Sequence, residues 1–166
     1  MSCSLRPLER AHRARLEQLT RGTGLFREEE VATALELLDE SLSGDDGYQF
    51  VGAFAGDQLV GYACWGPTPG TEGTHDLYWI VVVRERQSRG VGTQLLRAVE
   101  SRLTAHGARL VVVETSSRAD YGPTRRFYET RGYTRAATIP GYYAPGDDLV
   151  IYTKDLTPGD LARAAP

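Results

Sequence analysis

The stretch from Asp76 to His106 constrains this chain more than any other. Asp76 to Val83 ends in a continuously apolar run, as expected of a strand buried on both faces. It leads straight into Arg84-Glu85-Arg86-Gln87-Ser88-Arg89-Gly90-Val91-Gly92. Thr93 to His106 then places Leu95, Leu96, Val99 and Leu103 at helical spacing, with Gly107 as a stop. A buried strand that passes through a glycine loop into a helix opening near Gly90 presents unpaired backbone N–H groups at the positive end of the helix dipole. Such an end is an anion site. Glycine lets the backbone reach an anion's oxygens, and Arg89 is placed to add a charge-assisted contact. Taken alone, two glycines fit a plain strand-to-helix turn in a solvated basic loop better than an anion site. The loop carries neither GxGxxG nor GxxxxGK[ST], which excludes a dinucleotide fingerprint and a P-loop.

Around this segment the periodicity alternates between helix and strand. Glu9 to Arg21 and Arg27 to Ser41 have helical patterns, the second with Val31, Leu35 and Leu38 on one face. Tyr48 to Ala55 and Leu59 to Trp65 read as two strands joined by a turn at Gly56-Asp57-Gln58. Arg109 to Glu114 is a further buried strand and Tyr121 to Arg131 a short helix closed by Gly132. Tyr133 to Ile139 is a strand, Pro140 to Asp147 a loop, and Leu149 to Lys154 a last strand. The pattern predicts one α/β (α+β) domain with a mixed sheet over residues 1–156, and a frayed C-terminal tail over 157–166.

With 166 residues, the chain can close one substantial core but not two ordinary domains. A formal charge of -3 supplies no basic field for nucleic acid. The longest apolar run, Leu77 to Val83, is too short to span a membrane, and the charged start Met1 to Arg10 is unlike a signal peptide. A cytoplasmic location follows as the expectation. Cys3 and Cys64 have no CxxC spacing and no neighbouring histidine cluster, so neither a metal site nor a disulfide framework is expected.

Gln87-Ser88-Arg89-Gly90-Val91-Gly92 matches the Q/R-x-x-G-x-G/A signature of the GNAT N-acetyltransferases, and Val82 occupies the usual valine position five residues before it. The chain resembles that family over roughly Tyr48 to Leu156. The resemblance implies a mostly antiparallel twisted sheet of about six to seven strands flanked by about four helices. It implies acetyl-CoA as acyl-donor cosubstrate, with the pantetheine arm on the backbone at Ile80 and Val82. The diphosphate would lie in a cradle formed by Gln87, Ser88, Arg89, Gly90, Val91, Gly92 and Thr93. Tyr121 stands where an asparagine commonly meets the pantetheine. Arg84 and Glu85 replace the family's usual proline, and Arg125 replaces a small residue of the helix motif.

Acylation of an amine at neutral pH needs a base for the ammonium and an acid for the departing thiolate. Glu114 closes the apolar strand Leu110 to Val113, where desolvation can raise a carboxyl toward the range of a useful base. A strand-end charge reaching water fits the same position. Arg126-Phe127-Tyr128-Glu129-Thr130-Arg131-Gly132-Tyr133 resembles the family segment whose tyrosine faces the cofactor sulfur, although one of nine tyrosines could equally be core. The order of these elements is similar to that in ribosomal-protein alanine N-acetyltransferases, which implies Glu114 as general base and Tyr128 as general acid. His75 is an alternative base, and Ser116 and Ser117 are candidate partners of the cofactor arm. On the acceptor side, Tyr142, Tyr143 and Asp147 lie in a segment that looks like the substrate loop of N-terminal acetyltransferases, while Asp147 and Asp148 also suit a simple turn. The expected acceptor is a primary amine of a small molecule or a peptide or protein N-terminus. A non-catalytic acyl-CoA-binding sensor is the alternative. Dimers are common among proteins of this look, though no homodimer interface is legible in the sequence.

Overall fold

The computed structural model describes residues 3–157. The elements in chain order are β1 (Ser4–Arg6), α1 (Arg13–Gly22), α2 (Glu28–Leu42), β2 (Gln49–Ala55), β3 (Gln58–Pro67) and β4 (Thr74–Val82). They continue with α3 (Val91–Ala105), β5 (Leu110–Ser116), α4 (Gly122–Glu129), β6 (Thr134–Ala144) and β7 (Asp147–Asp155). The seven strands are hydrogen-bonded in the order β1-β2-β3-β4-β5-β7-β6. β4 and β5 run parallel, whereas β1–β2, β2–β3, β5–β7 and β6–β7 are antiparallel. Among the described residues no helix is long and apolar enough to cross a membrane. The expected tail from Pro158 onward lies outside the described residues.

By its internal contacts the chain forms two compact units: one runs up to Pro67 and takes in Leu77–Ser101, the other holds Thr68–Asp76 and the chain from Arg102 onward. The first unit is built on the apolar stripes of α1 and α2. Leu16 and Leu19 from α1, with Val31, Leu35 and Leu38 from α2, bury against Phe50, Phe54, Leu59, Tyr62, Cys64 and Val81. The β2–β3 hairpin turns through Gly56 and Asp57, since Ala55 pairs with Gln58, and Gly56 takes a φ of 61°. A positive φ at the first of two turn residues is what glycine permits. β1 is a strand that periodicity misses, because three residues are too few to show alternation; its Leu5 pairs with Ala53. β4 departs from the expected doubly buried strand: within it only Leu77 and Val81 are fully buried. An apolar run therefore marks a strand whose other residues stay partly open.

One buried polar pair is central to this unit. Thr20 and Tyr62 are both 0% exposed, and their hydroxyls lie 2.7 Å apart. Thr20 Oγ1 donates to the Leu16 carbonyl at 2.8 Å, so it accepts from Tyr62. Thr20→Val would leave the Tyr62 hydroxyl buried without an acceptor. A loss of about 1–3 kcal/mol is expected by denaturant unfolding, with Thr20→Ser retaining most of the stability.

In the second unit β5 and β7 form a regular ladder, with Val113 opposite Tyr152 and Glu114 opposite Ile151. α4 lies over the Tyr152 side of this ladder: Tyr152 donates to Glu129 Oε1 at 2.6 Å, and Lys154 donates to the Arg131 carbonyl at 3.1 Å. The loop expected over Pro140 to Asp147 is instead mostly strand. β6 runs on to Ala144, which pairs with Asp147 across a turn of only Pro145 and Gly146. Two features allow this. β6 is an edge strand, where a proline's missing N–H leaves no neighbour unpaired, and the register slips between Ile139 and Ala144 absorb the Pro-Gly step. The Asp148 carboxylate accepts the Gly141 N–H at 2.8 Å, which fixes the irregularity.

Candidate active site

The signature loop has the backbone an anion cradle requires. Gly90 has a φ of 82°, and Ser88, at 62°, is the one non-glycine of positive φ among the described residues. That conformation is strained for serine and is commonly retained where a ligand uses it. Gln87 Nε2 donates to the Val82 carbonyl at 3.1 Å, tying the loop back to the end of its strand. The Gly90 carbonyl accepts from Gln94 N at 3.0 Å, so Gly90 caps α3 and the helix start faces the loop with its positive dipole end. A Cβ added at Gly90 would meet nothing within 4 Å. The space over the helix start is open, and Arg84, Arg86 and Arg89 stand along the same loop. This arrangement fits a diphosphate. Ile80 and Val82, on the strand before it, are partly buried.

Glu114 is placed by register. The parallel pairing of β4 and β5 sets His75 opposite Val111 and Asp76 opposite Val112. Side chains alternate along a strand, so Asp76, Val112 and Glu114 share one face of the sheet. Glu114 is exposed as a residue, yet its carboxyl is pushed above the usual carboxylate range, first by partial desolvation and second by the like charge of Asp76. Tyr143 belongs to the same patch. Its hydroxyl is pushed up to about 12 by burial first, then by Glu114, Tyr142, Tyr121 and Asp147. The Tyr142 and Tyr143 rings meet edge to face at 5.0 Å, and Tyr142 is 56% exposed.

Tyr128 is buried, with its ring 5.2 Å from Phe127 and 5.2 Å from Tyr133. Burial raises its hydroxyl well above the ordinary phenol range, so it stays protonated and able to donate. No hydrogen bond joins that hydroxyl to another described residue. α4, which carries it, covers the Tyr152 side of β5, the face opposite Glu114. Glu114 and Tyr128 therefore flank β5 from its two sides. His75 also faces away from Glu114, and its Nδ1 is buried without a partner among the described residues. It cannot substitute for Glu114 on that face.

The two serines after Glu114 are used within the protein. Ser116 Oγ donates to Asp147 and accepts from Arg118 N at 3.0 Å, while Ser117 Oγ accepts from Asp148 N at 2.8 Å. Asp147 thus has a hydroxyl donor already, and Asp148 serves the β6 irregularity. Tyr121 is partly buried, with the Arg118 guanidinium 5.2 Å from its ring centroid. Arg125, where the family motif has a small residue, donates to the carbonyls of Ser116 and Arg118, clamping the turn between β5 and α4. Asp76 is the residue that sequence reasoning passed over. The available signal was a carboxylate at the head of an apolar strand, but its partner is reached only through register.

The model of the acetyltransferase (GNAT) family matches residues 12–133. Among solved structures, a GNAT-family protein of Desulfovibrio desulfuricans is 41% identical, with a TM-score of 0.88 over 94% of this chain and 100% of that one. The PaiA N-acetyltransferase of Thermoplasma acidophilum in complex with coenzyme A is 20% identical, with a TM-score of 0.73 over 93% and 99% of the two chains. The ribosomal-protein-S18-alanine N-acetyltransferase of Escherichia coli is 17% identical, with a TM-score of 0.76 over 99% of both. The last two share the fold. No curated protein matches by sequence. The seven-stranded, mostly antiparallel sheet, the loop ahead of α3 and the match across most of the chain agree: this protein belongs to the GNAT acetyltransferase family.

Proposed function

We propose that this protein is an acetyl-CoA-dependent N-acetyltransferase that acts by direct transfer in a ternary complex, with Glu114 as general base and Tyr128 as general acid. Acetyl-CoA supplies the thioester. The amides of Gln87 to Thr93 and the Arg89 side chain hold its diphosphate, the backbone at Ile80 and Val82 and the Tyr121 side chain border its pantetheine arm, and Tyr142, Tyr143 and Asp147 receive the acceptor. The acceptor is a primary amine of a small molecule or of a peptide or protein N-terminus. Its nitrogen bonds to the acetyl carbon as the C–S bond breaks. The proton leaving nitrogen goes to Glu114, and the sulfur takes one from Tyr128.

The observation that carries the proposal is Glu114, a carboxyl made more basic by desolvation and by Asp76; it lies within β5, which continues two residues beyond the expected end at Glu114, to Ser116. A sensor that only bound acyl-CoA would have no use for it. A thiol-release assay with acetyl-CoA and a panel of primary amines (a polyamine, an aminoglycoside and an alanine-starting peptide) tests the proposal, with the acetylated product identified by mass. Product from at least one amine is expected; hydrolysis alone across the panel would count against it. A base works only when deprotonated. kcat/KM is therefore expected to fall as pH drops through the raised pKa of Glu114, with the acidic limb above the ordinary carboxylate range. A limb inside that range would contradict the assignment.

A further inference from the structure

We propose that Asp76 is a positioning residue for this reaction: a carboxylate pinned by the Thr68 hydroxyl on the same sheet face as Glu114, whose negative charge makes Glu114 a stronger proton acceptor. This rests on the reading of Glu114 as the base.

The geometry comes from the β4–β5 register. Asp76 lies directly beside Val112, and Glu114 is two residues further along β5 on the same face. The two carboxylates therefore stand on one side of the sheet, two residues apart along the strand direction. Asp76 is also held in place. Thr68 Oγ1 donates to its Oδ2 at 2.8 Å, and the Thr68 N–H donates to the Thr74 carbonyl at 2.9 Å, closing the loop that carries the threonine. A hydroxyl donor stabilises the charged form of a carboxylate.

The remaining groups around this patch do not neutralise the pair. Tyr142 and Tyr143 come from β6, Tyr121 from the turn after β5, and Asp147 from β7. Asp147 is engaged by Ser116, and the nearby cation, Arg118, pairs with Asp120 at 2.7 Å while acting on Tyr121 and Asp147. Glu114 is left facing a like charge with no cation among the groups that shift it, and the same influence raises its proton affinity. Two carboxylates in one patch favour retention of a proton by one of them. Here the member without a hydroxyl donor among the described residues is Glu114. The role of Asp76 is therefore electrostatic tuning, and it makes no contact with the reacting atoms.

The test is a 13C titration of the full chain labelled at the glutamate carboxyl carbon, with the Glu114 signal assigned by its loss in Glu114→Gln. In Asp76→Asn the Glu114 midpoint is expected to move to lower pH, with thermal stability retained. Thr68→Val, which frees Asp76 without altering it, should move it the same way by less. In the amine assay Asp76→Asn should lose on the order of 3- to 10-fold in turnover at neutral pH as the base weakens, with its acidic limb shifted down. An unmoved Glu114 midpoint in both variants would overturn the proposal, even where an inactive Glu114→Gln upheld Glu114 as base. Abolished turnover in Asp76→Asn beside an active Glu114→Gln would assign the base to Asp76 and overturn both readings.

Discussion

Glu114→Gln is expected to lower kcat by about 10²- to 10⁴-fold at neutral pH, the range that a positioned general base contributes. The amide keeps the shape of the side chain but cannot take the ammonium proton, so the loss belongs to turnover. Acetyl-CoA affinity, which the proposal assigns to the Gln87 to Thr93 loop, should be retained. Stability supplies an internal control. The folded-state pKa of Glu114 is raised by desolvation and by Asp76, so its stabilising contribution is present at low pH and lost as pH rises through that pKa. At neutral pH the ionised carboxylate is held at a cost, and the glutamine variant should melt at the same temperature as the parent or higher. Wild-type turnover in this variant at neutral pH would remove Glu114 from the mechanism.

Tyr128→Phe is expected to lower kcat by about 10²-fold or more, with KM for acetyl-CoA nearly unchanged. The ring contacts with Phe127 and Tyr133 survive the substitution, and no hydrogen bond to another described residue is lost. Unfolding should therefore shift little, separating this variant from one that merely disrupts packing. Burial of the hydroxyl raises its pKa, so the acid remains protonated throughout the working range, and its loss should flatten no pH limb. Steady-state kinetics with the amine turned over fastest by the parent protein would check this. A fall in kcat/KM confined to KM would point to a packing role instead.

The long elements were legible because each buries one face over several turns or several alternations. Val31, Leu35 and Leu38 mark α2, and Leu95, Leu96, Val99 and Leu103 mark α3, all of them buried. The loop ahead of α3 was legible for a different reason: a backbone needing positive φ writes glycine into the chain, as at Gly90. Elements whose existence depends on a neighbour were not. β1 is three residues held by β2, and β6 continues through Pro140-Gly141 because its outer edge is unpaired and Asp148 caps the irregularity. The relation between Asp76 and Glu114 is of the same kind. Nothing local announces it, since it arises only when β4 aligns beside β5 in one register. Arg125 read as a departure from a motif, while in the structure it clamps the turn that follows β5.

The most direct test of acetyl-CoA use is the thermal midpoint of the full chain with acetyl-CoA, free CoA and NAD at matched concentrations, because a ligand that binds only the folded state raises the midpoint. The expected result is a rise with both CoA species, about 2.7 kcal/mol of added stability at a hundredfold excess over Kd, and none with NAD. No rise with either CoA species, or an equal rise with NAD, would contradict the cradle at Gln87 to Thr93 and the acetyltransferase activity built on it.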